Sequence, residues 1–451
     1  MKILVTGATG LIGRRLIHVL LKQGHRVLAL ARSPEKLPEL PESNVFAWSD
    51  HQIVPLEAIK NCDAVIHLAG EGIADARWSD ERKKRIWDSR VNGTNNLVKS
   101  IGLLDEIHRP RLLISSSAIG YYGPSNFPQG EDSNKGEGYL PELCGEWESA
   151  TKKSELDGLR TVILRTGLVL ANDRGVLSKT GPVVLGDGQQ WMSWIHVDDI
   201  VRFIDFAIQN QSLSGAYNLT APHPVTNKVF TKAVAQYSGI PFTVSVPKFA
   251  LKLVLGEMAD IVLANQKIVP TKTLASGFKF IYNQLDDALK NLRGGSSVTN
   301  HVFSVKQFVP AERSQIFTFF SKAENLEVLT PPWLNFRIRR KSTSDIEKGS
   351  LIDYQLKIHG VPVRWRTVIR EWNPDQSFVD FQLKGPYRKW HHLHTFDDVE
   401  GGTLISDEVN FEIPGWIFGN LLLPLVKKDV SEIFNYRQKK IKEIYLQNQS
   451  R

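Results

Sequence analysis

The stretch MKILVTGATGLIG constrains this chain more than any other. An apolar run, KILVT, passes straight into Gly7-Ala8-Thr9-Gly10-Leu11-Ile12-Gly13, and the helical pattern LIGRRLIHVLLK follows at once. Glycines at that spacing belong to a strand-to-helix turn. Gly7 permits the tight turn, Gly10 lets the backbone approach a pyrophosphate, and Gly13 allows the helix to pack closely. The amides of Leu11 and Ile12, at the helix N-terminus, would face the negative charge. The alternative is a purely structural glycine turn. Short β-rich runs alternate with helical patterns over the rest of this part, in HRVLALAR, NVFAWS, DAVIHLAG, a long helix near 79–102, RLLISSSAIG and RTVILRTGLVL. That alternation predicts a parallel sheet covered on both faces.

The end of the second strand decides which nucleotide such a loop prefers. An acidic side chain there holds a ribose 2′-hydroxyl, whereas an arginine accepts a 2′-phosphate. The sequence reads Leu30-Ala31-Arg32-Ser33. Arg32 can pair bidentately with phosphate and Ser33 can add a donor, so NADP is expected over NAD. The competing reading is a solvated surface arginine.

A chain of 451 residues exceeds what one hydrophobic core usually serves, so two or more domains are expected. Two cysteines, Cys62 and Cys144, exclude a disulfide framework and fit a reducing compartment. The start lacks the long apolar core of a signal peptide, and no apolar run reaches the roughly 20 residues a bilayer span needs. A cytoplasmic soluble protein without a transmembrane segment is the expectation. The net charge of +8 is spread evenly, without a basic stripe, which argues against nucleic-acid binding. The polar stretch RGGSS marks a boundary: a first domain over 1–294, a linker over 295–298 and a second domain over 299–451.

GATGLIG, then Leu68-Ala69-Gly70 and Ser115-Ser116-Ser117-Ala118 closing later strands, resemble the extended short-chain dehydrogenase/reductases. EGIADARW, RVNGTNNL, GDGQQWMSWIHVDDI, NLTAPHPVTN and LGEMADIVLANQKIVP sharpen the resemblance. They resemble an atypical subfamily labelled NAD-dependent epimerase/dehydratase-like, sometimes cell-division inhibitor, with a small C-terminal segment at 248–294. The resemblance implies a doubly wound Rossmann sheet. It also implies a cofactor site at Gly7, Thr9, Gly10, Leu11, Ile12, Gly13, Ala31, Arg32, Ser33, Leu68, Ala69, Gly70, Arg90 and Val169.

In that superfamily a tyrosine acts as acid/base, a lysine lowers its pKa and a serine polarises the substrate oxygen. An unperturbed tyrosine titrates near pH ~10, so the cation matters. Position by position, Ser117 matches the serine and Tyr139 the tyrosine, but Leu143 stands where the lysine belongs. A second departure puts Arg90 where the pattern Asn-Val-x-Gly-Thr has asparagine. Arg90 is expected to contact the cofactor or to replace the lysine's charge; the bland reading is one more exposed arginine in ERKKRIWDSR. For Arg82, Lys83 and Lys84 that solvated reading is preferred. Tyr139 is either an acid/base or an aromatic side chain packed at a helix start, since Pro141 and Leu143 depart from the usual arrangement. Trp191, Met192 and Trp194 are candidates to line a substrate pocket, with Gln190, Ser193 and His196 as its polar groups; the bland reading makes Trp194 and Ile195 core and His196 structural. Asp198 and Asp199 are expected to cap the following helix.

Past the linker the pattern turns to β runs such as SLIDYQLKI, VRWRTVIREW and GTLISDEVNFEI, closed by a long helix from about Trp416. This arrangement resembles the START-like (SRPBCC) helix-grip superfamily, an α+β fold whose members enclose hydrophobic ligands. Trp365, Trp372, Trp390 and Trp416 are candidate cavity walls, although an aromatic core is the default. In KWHHLHTF, His392 and His394 share one strand face while His391 points away, and nothing at useful spacing completes a site, so no metal is expected.

Two readings follow. One is an NADP-dependent oxidoreductase or epimerase with an altered catalytic set, a small-molecule substrate and a fused hydrophobic-ligand module. The other is a non-catalytic NADP(H)-dependent regulator or lipophile carrier.

Overall fold

The computed structural model describes residues 1–153, 158–172, 176–179, 182–238, 240, 242–293, 300–415 and 421–447. The expected linker at 295–298 and Trp416 lie outside the described residues. The chain divides into two compact units. One comprises Met1–Leu37 with Ser43–Gly295, the other Pro38–Glu42 with Ser296–Arg451.

The first unit is built on a seven-stranded parallel sheet. Its strands are β1 (Lys2–Thr6), β2 (Arg26–Ala31), β3 (Val45–Ala47), β4 (Ala64–His67), β5 (Leu112–Ala118), β6 (Arg160–Thr166) and β7 (Gly215–Leu219). They lie in the order β7-β6-β5-β4-β1-β2-β3, all pairs parallel. This is the Rossmann arrangement expected from the alternation of strand and helix. Ile3, Leu4 and Val5 are wholly buried, as a strand covered on both faces requires. The order reverses between β1 and β4, so a crevice opens at their carboxyl ends.

Helix α1 (Leu11–Lys22) buries Gly13, Leu16, Ile17, Leu20 and Leu21, a single stripe at helical spacing. The long helical stretch predicted near 79–102 is α2 (Asp80–Trp87) and α3 (Gly93–Gly102), joined without a break by a π turn over Asp88–Asn92. Such a turn often accompanies a functional site. Helix α4 (Tyr139–Lys152) carries Tyr139 and buries Leu143, Cys144, Trp147 and Glu148, while Ser117 lies on β5. At α5 (Val197–Gln209) the cap differs from expectation. His196 is the N-cap, its Nδ1 accepting from the Asp198 amide at 3.1 Å. Asp199 is instead buried and accepts the amides of Ile281 and Tyr282.

The second unit is a seven-stranded antiparallel sheet with helices on one face. Its strands are β8 (Asn300–Val309), β9 (Arg337–Lys341), β10 (Leu351–Ile358), β11 (Val361–Asn373), β12 (Ser377–Lys384), β13 (Lys389–Val399) and β14 (Gly402–Glu412), in the order β8-β14-β13-β12-β11-β10-β9. Phe317 and Phe320 from α6 (Arg313–Phe320) and Ile441 from α7 (Leu423–Gln447) pack on Phe378, Phe396 and Ile405. Trp365, Trp372 and Trp390 sit within aromatic clusters with Tyr354, Phe317 and Tyr387. Among these apolar residues Asp407 is buried against Arg437, His392 and His394. Burial works against its charge, but Arg437 and the two imidazoles outweigh that and hold the carboxyl well below its ordinary range.

Among the described residues no helix is long and apolar enough to cross a membrane.

Candidate functional site

The turn after β1 has the geometry its glycines promise. Gly7 adopts φ +65°, and a Cβ there would stand 2.6 Å from the Leu68 carbonyl carbon. A Cβ on Gly13 would meet the Gly7 carbonyl oxygen at 2.4 Å. Both positions therefore exclude any side chain. Gly10 is the N-cap of α1 and has no side chain to cap its first amides, a helix N-terminus suited to an anion. Ile12, Leu68, Gly70 and Arg90 border a cavity of about 850 Å³ that also reaches Ser117, Tyr139, Trp191, Met192 and Ser193. Val169 lies beside it, paired with Ile195 in a short parallel ladder.

Beneath the turn a buried chain of hydrogen bonds ties β1 to the π turn. Thr6 Oγ1 accepts the amides of Leu68 and Ala69 at 3.2 and 3.1 Å. His67 bridges Thr6 and Thr94, with Nδ1 at 2.8 Å from one hydroxyl and Nε2 at 3.0 Å from the other. Thr94 in turn donates to the Arg90 carbonyl. That last bond fixes the proton order: His67 must donate from Nε2 and accept at Nδ1. Burial lowers its pKa to about 4, so the ring is neutral. The sequence offered no sign of this bridge, because His67 and Thr94 are 27 positions apart.

Arg90 lies in the crevice. A Cβ on Gly70 would stand 3.4 Å from its guanidinium carbon, which sits 5.2 Å from the centre of the Trp147 ring. Nη1 donates to the Ile86 carbonyl at 3.2 Å. At the end of β2, Arg32 is 73% exposed and 3.5 Å from Glu71. Glu71 also takes Arg82 at 2.7 Å and Arg85 at 3.8 Å. The hydrogen bond from Arg82 leads in holding the Glu71 carboxyl below its ordinary range, with Arg32 and Arg85 assisting against burial. Arg82 is thus not the solvated arginine its basic run suggested; its side chain is 14% exposed and also donates to the Gly72 carbonyl.

The catalytic candidates have definite partners. Tyr139 donates its hydroxyl to the Lys83 carbonyl at 2.8 Å and meets Trp78 edge-on at 5.3 Å. Burial raises its pKa, and the nearby Arg90 offsets only part of the rise. Leu143 is buried with Ile86 and Val91, against Tyr139 and Trp78. Ser117 donates to Glu148 Oε1 at 2.8 Å. Glu148 is itself clamped by Arg165, Nε to Oε1 at 2.8 Å and Nη2 to Oε2 at 2.9 Å. The second face of that guanidinium donates to the Tyr122 hydroxyl, which donates to Asn218. Ser117 is therefore anchored within a buried ion pair that no local spacing foretold.

Residues 3–220 match the family described as NAD dependent epimerase/dehydratase family, and residues 246–292 match a domain of unknown function, DUF1731. The chain is 40% identical over 302 residues to the epimerase family protein SDR39U1 homolog, chloroplastic, of Arabidopsis thaliana, covering 64% of this chain and 86% of that one. It is 35% identical to the epimerase family protein YfhF of Bacillus subtilis, covering 65% and 98%. Among solved structures, the human epimerase family protein SDR39U1 (isoform 2), determined with NADPH, superposes with a TM-score of 0.58 at 29% identity, covering 65% of this chain and 99% of that one.

Two outcomes test the buried network. Replacing Glu148 with Ala strands the Arg165 charge and is expected to cost about 3–5 kcal/mol in urea unfolding, with most of it regained when Arg165 is also changed to Met. His67 has a folded pKa below its unfolded value, so the unfolded chain binds more protons between pH ~6.5 and ~4. Stability contributed by the neutral ring is complete above that window and falls on acidification, by up to about 3 kcal/mol. The stability gap between the wild-type chain and His67→Gln should accordingly narrow from pH 7 to pH 4.5.

Proposed function

Because the chain belongs to the NAD dependent epimerase/dehydratase family, we propose that its first unit binds NADP(H) in the crevice at the carboxyl ends of β1 and β4. The observation that carries this reading is the group Arg32, Arg82 and Arg85 around the single carboxylate of Glu71. Three guanidinium groups against one carboxylate leave an excess of positive charge where an NAD ribose would ask for an acidic acceptor. The NADPH in the human relative supports the same choice.

In this reading Arg32, with Ser33 and the neighbouring Ala31 backbone, holds the 2′-phosphate. Gly7, Thr9, Gly10 and Gly13 shape the loop, and the amides of Leu11 and Ile12 take the pyrophosphate. Leu68, Ala69, Gly70, Arg90 and Val169 flank the nicotinamide side. When bound, the cofactor supplies a hydride donor or acceptor. The cavity beyond suits a small-molecule substrate, with Ser117, its hydroxyl turned from Glu148 to the substrate oxygen, as the polarising group, Tyr139 as the acid/base and Arg90 as the cation in place of a lysine.

A second reading, an NADP(H)-dependent regulator without turnover, is favoured by one feature. Burial dominates at Tyr139 and its proton is donated to a backbone carbonyl, so little phenolate forms at neutral pH. The second unit is read as a START-like helix-grip module for a hydrophobic ligand, supported by a 25-residue helix packed on a seven-stranded antiparallel sheet.

Fluorescence titration with NADPH and NADH tests the cofactor assignment. NADPH should bind at least tenfold more tightly, and Arg32→Ala should remove about 1–3 kcal/mol of NADPH affinity while leaving NADH unchanged. Equal affinity of the wild-type chain for the two nucleotides would defeat the assignment.

A further inference from the structure

A polar group crosses the apolar interior of the second unit. Strand alternation places His392 and His394 on the covered face of β13, and the antiparallel register sets Asp407 of β14 directly opposite His394. All three are buried, at 6%, 3% and 5% exposure. His392 Nε2 lies 3.0 Å from Asp407 Oδ1, and His394 Nδ1 lies 2.7 Å from the same oxygen. The second contact is close but not aligned as a hydrogen bond, since His394 Nδ1 has no hydrogen-bond partner among the described residues. One ligand atom from each of the three residues thus lies within 4.8 Å of the others. The carboxylate comes from the neighbouring strand, which spacing within KWHHLHTF could not reveal.

We propose that His392, His394 and Asp407 bind one divalent transition-metal ion of the zinc class, with a coordination position left open for an exogenous ligand. Two imidazoles and a carboxylate are a borderline donor set, and three protein ligands are the number used by open zinc sites. Around a tetrahedral ion with bonds of about 2.0–2.1 Å the ligand atoms stand roughly 3.3 Å apart, so the His392 contact with Asp407 would open by about 0.3 Å and the His394 contact by about 0.6 Å. Arg437 of α7 decides what completes the site. Its Nη1 is 3.7 Å from Asp407 Oδ1, while Nε and Nη2 are buried without a hydrogen-bond partner among the described residues. Those two donors form the side-on edge that grips a carboxylate or similar anion. A cation bound alone would be repelled by that guanidinium; a cation bound with an anion beside Arg437 relieves both the repulsion and the empty donors.

The test is titration of the full chain, stripped with a chelator, with Co²⁺ alone. Visible d–d absorption saturating at one equivalent per chain is expected. His394→Gln and His392→Gln should each weaken binding on the order of a hundredfold, and His391→Gln, on the opposite face of the strand, should leave it unchanged. Arg437→Gln should tighten Co²⁺ binding about tenfold in buffer free of carboxylates and phosphate. Circular dichroism of each variant identifies any that fails to fold. Absence of d–d bands in the wild-type chain at saturating Co²⁺ overturns the proposal, as does binding that survives in folded His392→Gln and His394→Gln chains.

Discussion

The close approach of the first turn to the strand beside it sets the terms for the rest of the first unit. With any side chain at Gly7 or Gly13 the Leu68 backbone or the Gly7 carbonyl would have to move, and α1 could not begin where it does. Because it does begin there, its N-terminus follows β1 at the reversal of strand order. The Leu68–Gly70 segment is held against that turn by Thr6, and the same hydroxyl leads through His67 and Thr94 to the backbone of Arg90. One buried chain of hydrogen bonds thereby joins the glycine turn to Arg90, which borders the cavity.

The residues that border the cavity differ from the superfamily pattern as a set. Leu143 removes the cation that would lower the phenol pKa and contributes instead to an apolar cluster with Ile86 and Val91. Arg90 returns a cation nearby, yet burial still dominates at Tyr139. Ser117 is drawn toward Glu148, whose charge is balanced by Arg165 in bidentate contact. A buried pair of that kind is costly to break and fixes Ser117 firmly in position. These residues describe a crevice better equipped to hold a nucleotide than to move a proton through a tyrosine.

What was legible in the sequence follows from distance along the chain. The glycine turn, the helix after it and Arg32 at the end of β2 are local features, and consecutive residues carry their physical reason. Glu148 and Arg165 were not legible as a pair, nor were His67 and Thr94, because the sheet and helix packing bring them together. Arg82 was hidden in a charged run that reads as solvated; only the position of Glu71 after β4 turns it inward. At α5 the sequence pointed to Asp198 and Asp199 as caps, but the imidazole of His196 reached the amide first and freed Asp199 to hold the 281–282 backbone. In the second unit the alternation predicted strands correctly, while the convergence of His394 and Asp407 depended on register between strands.

The central claim is that the arginines around Glu71 grip a 2′-phosphate. It is tested most directly by ³¹P NMR of NADP⁺ bound to the chain, followed as pH is lowered. A free phosphomonoester takes up its proton near pH ~6. Held by Arg32 with Arg82 and Arg85 close by, the 2′-phosphate should remain dianionic to at least about one pH unit lower, since neighbouring positive charge favours the charged form. A bound 2′-phosphate that titrates as it does in free solution would contradict the account.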